Sequence, residues 1–411
     1  MFSDSPIKYF NGTHRVKNPD ETIKDYEDKL KTAGITRLTD ITDLDRIGIP
    51  VFSAIRPTAQ SGGVSIYAGK GISKSHAKAS AIMEGFERYS AEKQDKDDSN
   101  IITGKYEDIN KTIDLESLIL SKSIPLEQVK EFNLEWEELI EINSEEKYQI
   151  PVNLIYHPYI PNKDNIKAFV KGNTNGLASG NTIEEAILHG IYEIIERDAW
   201  SIFEISKKNK KEINKDTIEN EEIKNILTKF ENENISIKLF DITADIEVPT
   251  ILASADDKVL KDAALLSLGV GTNLNPEIAV LRALTEVAQS RATQIHGTRE
   301  DTNRADFMRK AGYERMKKIN KIYFEDSENK INLNEIPNKS SLKTIKEDIN
   351  ICLNELKKVG LDKVLFKDLT REEIGVSVVR VIIPNAELYA LDPSRIGERA
   401  VQYDLTHKKT I

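Results

Sequence analysis

The sequence holds a single cysteine, which excludes an internal disulfide and a thiolate-rich zinc site. That residue, Cys352, falls on an apolar-periodic position of TIKEDINICLNELKKVG and is expected to be a packed core residue. No apolar run approaches the roughly 20 residues needed to cross a bilayer. The opening MFSDSPIKYFNGTHR also lacks the apolar centre of a signal peptide. A cytoplasmic protein without a membrane partner is expected. Positive charge is in deficit: the net charge of −10 argues against nucleic acid, whose phosphates recruit concentrated Lys and Arg. The six histidines (His14, His76, His157, His189, His296 and His407) show no paired zinc spacing. No Gly-x-Ser-x-Gly elbow occurs. GGVSIYAGKG superficially resembles a Walker A loop, but Gly71 replaces the required Ser or Thr and Val64 stands where Gly is needed. GVGTNL lacks the last glycine of a dinucleotide fingerprint. No linker rich in Pro, Gly or Ser divides the chain, so residues 1–411 are expected to form one interwoven body.

What is present is repetition. A strand, a short polar turn and a second strand occur as GITRLTDITDLDRIGIPVFSAI, ISIKLFDITADIEVPTILAS and VLFKDLTREEIGVSVVRVIIP. Each turn carries Asp-(Ile/Leu)-Thr, at Asp40 to Thr42, Asp241 to Thr243 and Asp368 to Thr370. Short Asp and Thr side chains can bond nearby backbone amides, so these residues are read as structural. A second unit joins a β segment, a glycine-bearing turn and an amphipathic helix. Its copies are GGVSIYAGKGISKSHAKASAIMEGFERYSAE, NTNGLASGNTIEEAILHGIYEIIERDAW and LLSLGVGTNLNPEIAVLRALTEVAQSRATQ. Gly71 lies 13 residues before Glu84, Gly180 lies 13 before Glu193, and Gly271 lies 15 before Glu286. Ser73, Thr182 and Asn275 are suitable N-caps, and Pro276 suits a first helical turn. Strands alternating with helices, but in hairpin pairs, predict an α+β or mixed α/β fold. The charged stretch 100–150, with a hairpin turning at Asn143-Ser144, and the Lys- and Asn-rich stretch 301–362 are expected at the periphery.

Each repeated helix places three polar groups at i, i+4 and i+7. They are Ser80, Glu84 and Glu87; His189, Glu193 and Glu196; and Arg282, Glu286 and Gln289. At about 100° per residue these positions span roughly 60°, one narrow stripe. The surrounding residues are largely apolar, so the stripes belong to buried helices whose carboxylates need partners. The bland alternative leaves these glutamates solvated or paired with Arg88, Arg197 and Arg291. If the helices converge, the carboxylates crowd one pocket, and Mg²⁺ shared with substrate phosphates is the natural neutraliser. Arg282 and the amides of the glycine turns could then meet those phosphates.

These stretches resemble the YcaO superfamily. The resemblance is carried by GKGISKSHAKASAIMEGFER, NGLASGNTIEEAILHGIYEIIERDA and PEIAVLRALTEVAQSR, with further likeness in GTHRVKNPDETI, TDITDLDRIGIPVFSAIRP, VVRVIIPNAE and RIGERA. It implies ATP held with Mg²⁺ by acidic residues on several helices. By motif position Glu84, Glu87, Glu193, Glu196 and Glu286 match the metal-binding acids. Arg282 matches a cofactor-binding residue, joined by Ser80, His189 and Gln289 on the same stripes and, at the N-terminal phosphate side, by Arg15 and Thr22. Members of the superfamily phosphorylate a backbone amide oxygen of a peptide or protein substrate. An internal Cys, Ser or Thr then gives an azoline; an external sulfur donor gives a thioamide. The chain ends RAVQYDLTHKKTI without the proline-rich tail of azoline-forming members, and no leader-binding domain precedes the core. Both departures favour thioamidation with a TfuA-type partner, as for thioglycine in methyl-coenzyme M reductase. The alternatives are a cyclodehydratase and, in another class, a nucleotide-binding regulator or scaffold that does not turn over. The general acid and base, and the oligomeric state, are not readable from these residues; a homo-oligomer is compatible with them.

Overall fold

The computed structural model describes residues 5–10, 12–121, 123–161, 165–208, 210–298 and 304–406. His407 and the rest of the tail lie outside them. In chain order a hairpin, β1 (Lys8–Tyr9) and β2 (His14–Arg15), leads to α1 (Pro19–Tyr26). Then come β3 (Arg37–Asp40), β4 (Val51–Ile55), β5 (Ile66–Lys70) and α2 (Lys74–Ala91). The middle holds β6 (Ile102–Gly104), α3 (Leu126–Lys130), β7 (Leu134–Glu141), β8 (Lys147–Pro151), β9 (Leu177–Gly180) and α4 (Ile183–Ser206). Next are β10 (Lys211–Ile213), α5 (Glu221–Asn232), β11 (Ile235–Asp241), β12 (Thr250–Asp257), β13 (Ser267–Thr272) and α6 (Pro276–His296). The chain closes with α7 (Arg304–Ala311), α8 (Tyr313–Ile319), α9 (Lys321–Phe324), β14 (Lys330–Ile331), α10 (Ile345–Lys358), β15 (Leu365–Asp368), β16 (Ser377–Ile382) and α11 (Glu398–Thr406). The fold is mixed α/β. Among the described residues no helix is long and apolar enough to cross a membrane.

Three antiparallel units repeat: β3-β4-β5 with α2, β11-β12-β13 with α6, and β15-β16-β9 with α4. In the third unit the glycine strand and helix precede the hairpin in sequence, and the whole second unit lies between them. The chain is therefore interwoven. The Asp-x-Thr turns build the same corner three times. Thr42, Thr243 and Thr370 donate their backbone N–H to the carboxylates of Asp40, Asp241 and Asp368 at 3.0, 3.0 and 2.9 Å. Each threonine hydroxyl then accepts from the returning strand, at Val51, Thr250 and Val378, over 3.2, 3.0 and 3.2 Å. Short polar side chains thus satisfy backbone donors that a tight hairpin would strand.

The helices start at the expected caps. Ser73, Thr182 and Asn275 accept backbone N–H bonds from His76, Glu185 and Glu277. One correspondence differs from the sequence reading. A Cβ on Gly69 would lie 2.3 Å from the carbonyl of Ala77, and one on Gly271 2.3 Å from that of Ala279, so these two glycines are the matching pair. Gly71 and Gly180 press instead on the first-turn amides of Ala77 and Ala186. Their counterpart in the second unit is Asn273, which sits 13 residues before Glu286 as Gly71 does before Glu84.

The first of the two stretches expected at the periphery, residues 100–150, supplies β6, β7 and most of β8. β7 pairs with β6, β8 and β15, extending the third sheet to six strands, and Trp136, Leu139 and Ile150 are fully buried there. The hairpin turns through Asn143 and Ser144, whose N–H groups both donate to Glu141. α10 packs on α4 and buries Cys352 with Ile349 and Leu356, so the cysteine is a core residue. Alternation fails as a guide in β7, because six of its eight residues are buried, charged Glu135, Glu137 and Glu141 among them.

Candidate active site

The units pack cyclically. Strand β5 meets α6, β13 meets α4, and β9 meets α2, so each glycine strand faces the stripe of the next unit. The three stripes converge on one cavity of about 620 Å³. Its wall includes Ser80, Glu84, Glu87, His189, Glu193, Glu196, Arg282, Glu286 and Gln289, together with Arg15 from β2 and Thr22 from α1. Stripes 93 or more residues apart in sequence, with Arg15 and Thr22, therefore come together in one place. The wall also contains Lys70, Arg88, Asn181, Glu185 and Arg197.

Electrostatics mark the stripes as unneutralised. Glu87 and Glu196 are 7% and 3% exposed. Burial, with Glu193 and Glu84 nearby, pushes the Glu87 carboxyl up to about 8 against the pull of Arg88. Burial and the Glu286 charge raise Glu196 to about 7, and burial also raises Glu193. Glu286 goes the other way: burial opposes ionisation, but Lys70, Arg197 and Arg282 outweigh it and hold the group below the usual range. His189 is kept neutral by burial and by Arg282 and Arg15, and its Nε2 lies 3.5 Å from an Arg282 nitrogen.

The cations are only loosely engaged. Arg88 lies 3.5 Å from Glu84 and 3.7 Å from Glu87, and Arg197 lies 4.0 Å from Glu196. Nε and Nη1 of Arg88, Nε of Arg197 and Nε of Arg282 are buried without a hydrogen-bond partner among the described residues. Buried guanidinium N–H groups left open are costly, and an anion in the cavity would satisfy them. Arg291, the third cation of the bland alternative, faces away. It is fully buried and bonds to Asp45 and Asp257 on the opposite side of α6.

Two expected residues are already engaged. Thr22 donates to Asn181 Oδ1 at 2.9 Å, and Gln289 donates its amide to the carbonyl of Ala68 in β5. Glu185, absent from the sequence reading, ties the N-terminal strap down: it accepts from Val16 N–H at 3.0 Å and from Asn181, and lies 3.7 Å from Arg15. Its signal was the Thr182-x-x-Glu185 spacing, which reads simply as a capping box. Lys70 lies in the stretch that fails as a Walker pattern and was not singled out in the sequence, yet it ion-pairs with Glu286 across the unit boundary.

Among the described residues no three His, Cys, Asp or Glu side chains form a ready-made metal cage. The acids crowd without closing on one point, which suits Mg²⁺, an ion that normally completes its shell with water and phosphate oxygens. Open guanidinium donors beside carboxylates of raised pKa fit a polyphosphate that brings divalent cations. Fold and cavity therefore suit a metal–nucleotide site built from acids rather than a phosphate loop.

Residues 68–387 match the YcaO family, described as ATP- and Mg²⁺-binding cyclodehydratases. An uncharacterised protein of Methanothermobacter thermautotrophicus is 52% identical over 93% of this chain and 97% of its own length. A second, from Rhizobium leguminosarum bv. trifolii and encoded in the tfuA 3′ region, is 29% identical over 91% of this chain and 89% of its own. The solved YcaO of Methanopyrus kandleri, bound with AMPPCP and Mg²⁺, superposes with a TM-score of 0.77 at 26% identity, covering 96% of this chain and 98% of that one. The chain belongs to the YcaO family of ATP- and Mg²⁺-dependent enzymes.

A pH dependence follows. A carboxyl whose folded pKa is raised binds its proton more tightly when folded. Without metal, stability should be greatest below the unfolded value of about 4.5 and fall as pH rises toward the values of about 8 and about 7 at Glu87 and Glu196. The decline is on the order of 3–5 kcal/mol for each of the two groups and ends above pH 8. Chemical denaturation with a chelator present, at pH 5 and pH 8.5, measures it; equal stability at both would contradict the burial assigned to these groups.

Proposed function

We propose that the chain activates a backbone amide of a peptide or protein by phosphorylating its oxygen with ATP, and that a sulfur donor then completes a thioamide. The observation that carries the first half is the single cavity in which acid stripes from three helices stand beside buried guanidinium N–H groups without partners. Magnesium, when bound there, supplies the positive charge that stabilises a transferring phosphoryl group. Glu84, Glu87, Glu193, Glu196 and Glu286 would hold it. Arg88, Arg197 and Arg282 would orient phosphate oxygens through the donors they leave open. Glu185 and Asn181 fix the strap that carries Arg15 and Thr22 on one wall of the cavity.

The chemistry balances in two steps. The amide oxygen attacks the terminal phosphorus and ADP leaves. Sulfur then attacks the activated carbon, and phosphate leaves carrying the original oxygen. Support for the sulfur branch and for a TfuA-type partner comes from the relative encoded beside tfuA. The same cavity would serve an azoline-forming cyclodehydratase, in which a side chain of the substrate replaces the external sulfur.

The test combines purified chain, ATP, Mg²⁺, sulfide, the TfuA-type partner and a glycine-containing candidate peptide. Peptide-dependent ADP release with a mass gain of about 16 Da is expected, sulfur for oxygen, whereas a loss of about 18 Da would replace this reading with cyclodehydration. Nucleotide binding without either change would point to a regulator.

A further inference from the structure

The three-fold repeat makes Lys70, Ser179 and Thr272 equivalent. Each lies at or one residue before the end of its glycine strand, and each donates to a glutamate of the next unit. Ser179 Oγ reaches Glu87 at 3.3 Å, the Thr272 backbone N–H reaches Glu196 at 3.1 Å, and the Lys70 ammonium pairs with Glu286. Two of these donors are neutral; the third is a full charge. It sits opposite the stripe with one carboxylate rather than two, since Gln289 occupies the place of Glu87 and Glu196. The Lys70 charge also acts on Glu196 and on His189, which places it among the groups of the cavity.

We infer that Lys70 is a resident counter-ion that occupies Glu286 while the site is empty and passes to an anionic oxygen of the ligand when a divalent cation takes that carboxylate. The inference rests on the metal–nucleotide reading of the cavity. Its physical basis is that one carboxylate cannot hold an ammonium and a divalent cation at hydrogen-bonding range without strong repulsion between the two. Lysine suits the exchange, because it carries a compact charge with three donors on a flexible stem. Its backbone is fixed by pairing with Val51, so only the side chain must move. Metal alone must displace Lys70 and leave it without a partner. Metal arriving with phosphate gives the ammonium a new acceptor. Divalent cation and nucleotide should therefore bind with positive coupling, and Lys70 should be a source of it.

Mn²⁺ titration followed by electron paramagnetic resonance, with and without AMPPCP, reads this coupling in the absence of turnover. Lys70→Met should tighten Mn²⁺ binding without nucleotide by about tenfold and shrink the coupling by a similar factor, while Lys70→Arg retains most of it. Glu286→Gln gives an independent reading that does not require the Lys70 variants to fold: it frees the ammonium, so metal-free AMPPCP should bind several-fold tighter. Unchanged Mn²⁺ affinity and coupling in a folded Lys70→Met, with Mn²⁺–AMPPCP binding still lost in Glu193→Gln, would overturn the counter-ion and leave the metal–nucleotide site standing. Absence of Mn²⁺–AMPPCP binding in the unaltered protein would remove both.

Discussion

Glu87→Gln and Glu196→Gln should each lower ATP turnover by at least roughly a hundredfold while making the metal-free protein more stable at pH 8, the opposite signs expected when a buried acid serves a ligand rather than the fold. Both carboxyls are nearly closed off from solvent and resist ionisation, so the folded chain bears their charge at a cost. Glutamine keeps the shape and removes the charge. It also keeps an acceptor for the Ser179 hydroxyl beside Glu87 and for the Thr272 N–H beside Glu196. Steady-state ADP release and thermal unfolding in a chelator separate the two effects. A variant that loses stability and keeps turnover would mean that the acid belongs to the core.

Arg291→Met should do the reverse, destabilising the protein by about 3–5 kcal/mol, because it leaves buried Asp45 without its cation. Arg291 is on α6, nine residues after Arg282, and is 0% exposed, with Nε 2.7 Å from Asp45 and Nη2 3.2 Å from Asp257. Arg46 also holds Asp257, but among the described residues Asp45 has no comparable second cation in its hydrogen bonds. The guanidinium thus joins α6 to the segment after β3 and to the end of β12. The midpoint of urea unfolding measures the loss. A shift below 1 kcal/mol would mean that Asp45 and Asp257 are neutralised by other means. Nucleotide affinity of whatever folded protein remains should be near that of the parent, since Arg291 is not on the cavity wall.

The contrast between these arginines shows what the sequence discloses. The stripes at i, i+4 and i+7 were legible because a helix converts spacing into direction, and three copies that each start at a side-chain cap and have largely apolar surroundings point inward together. The Asp-x-Thr turns were legible for a similar reason, local bonding that needs no distant partner. Arg291 looks no different from Arg88 or Arg197 in sequence. Its role depends on Asp45 and Asp257, which only tertiary packing brings to it. Glu185 and Lys70 were hidden because a first-turn glutamate and a strand-end lysine each have an adequate local explanation. Gly271 was matched to the wrong glycines because spacing alone cannot tell a strand glycine pressed on a helix from a turn glycine pressed on its first amides. The extent of the third sheet was obscured by the buried glutamates of β7, which break the alternation that marks a half-buried strand.

That remote helices jointly hold magnesium against a triphosphate is tested most directly by a crystal structure of this chain grown with AMPPCP and Mn²⁺, with the metal located by its anomalous signal. The expected result is manganese about 2.1–2.4 Å from carboxylate oxygens of at least two of the three stripes, with phosphate oxygens completing its shell. Nucleotide seated elsewhere, or manganese bound with Glu84, Glu87, Glu193, Glu196 and Glu286 all uninvolved, would contradict it.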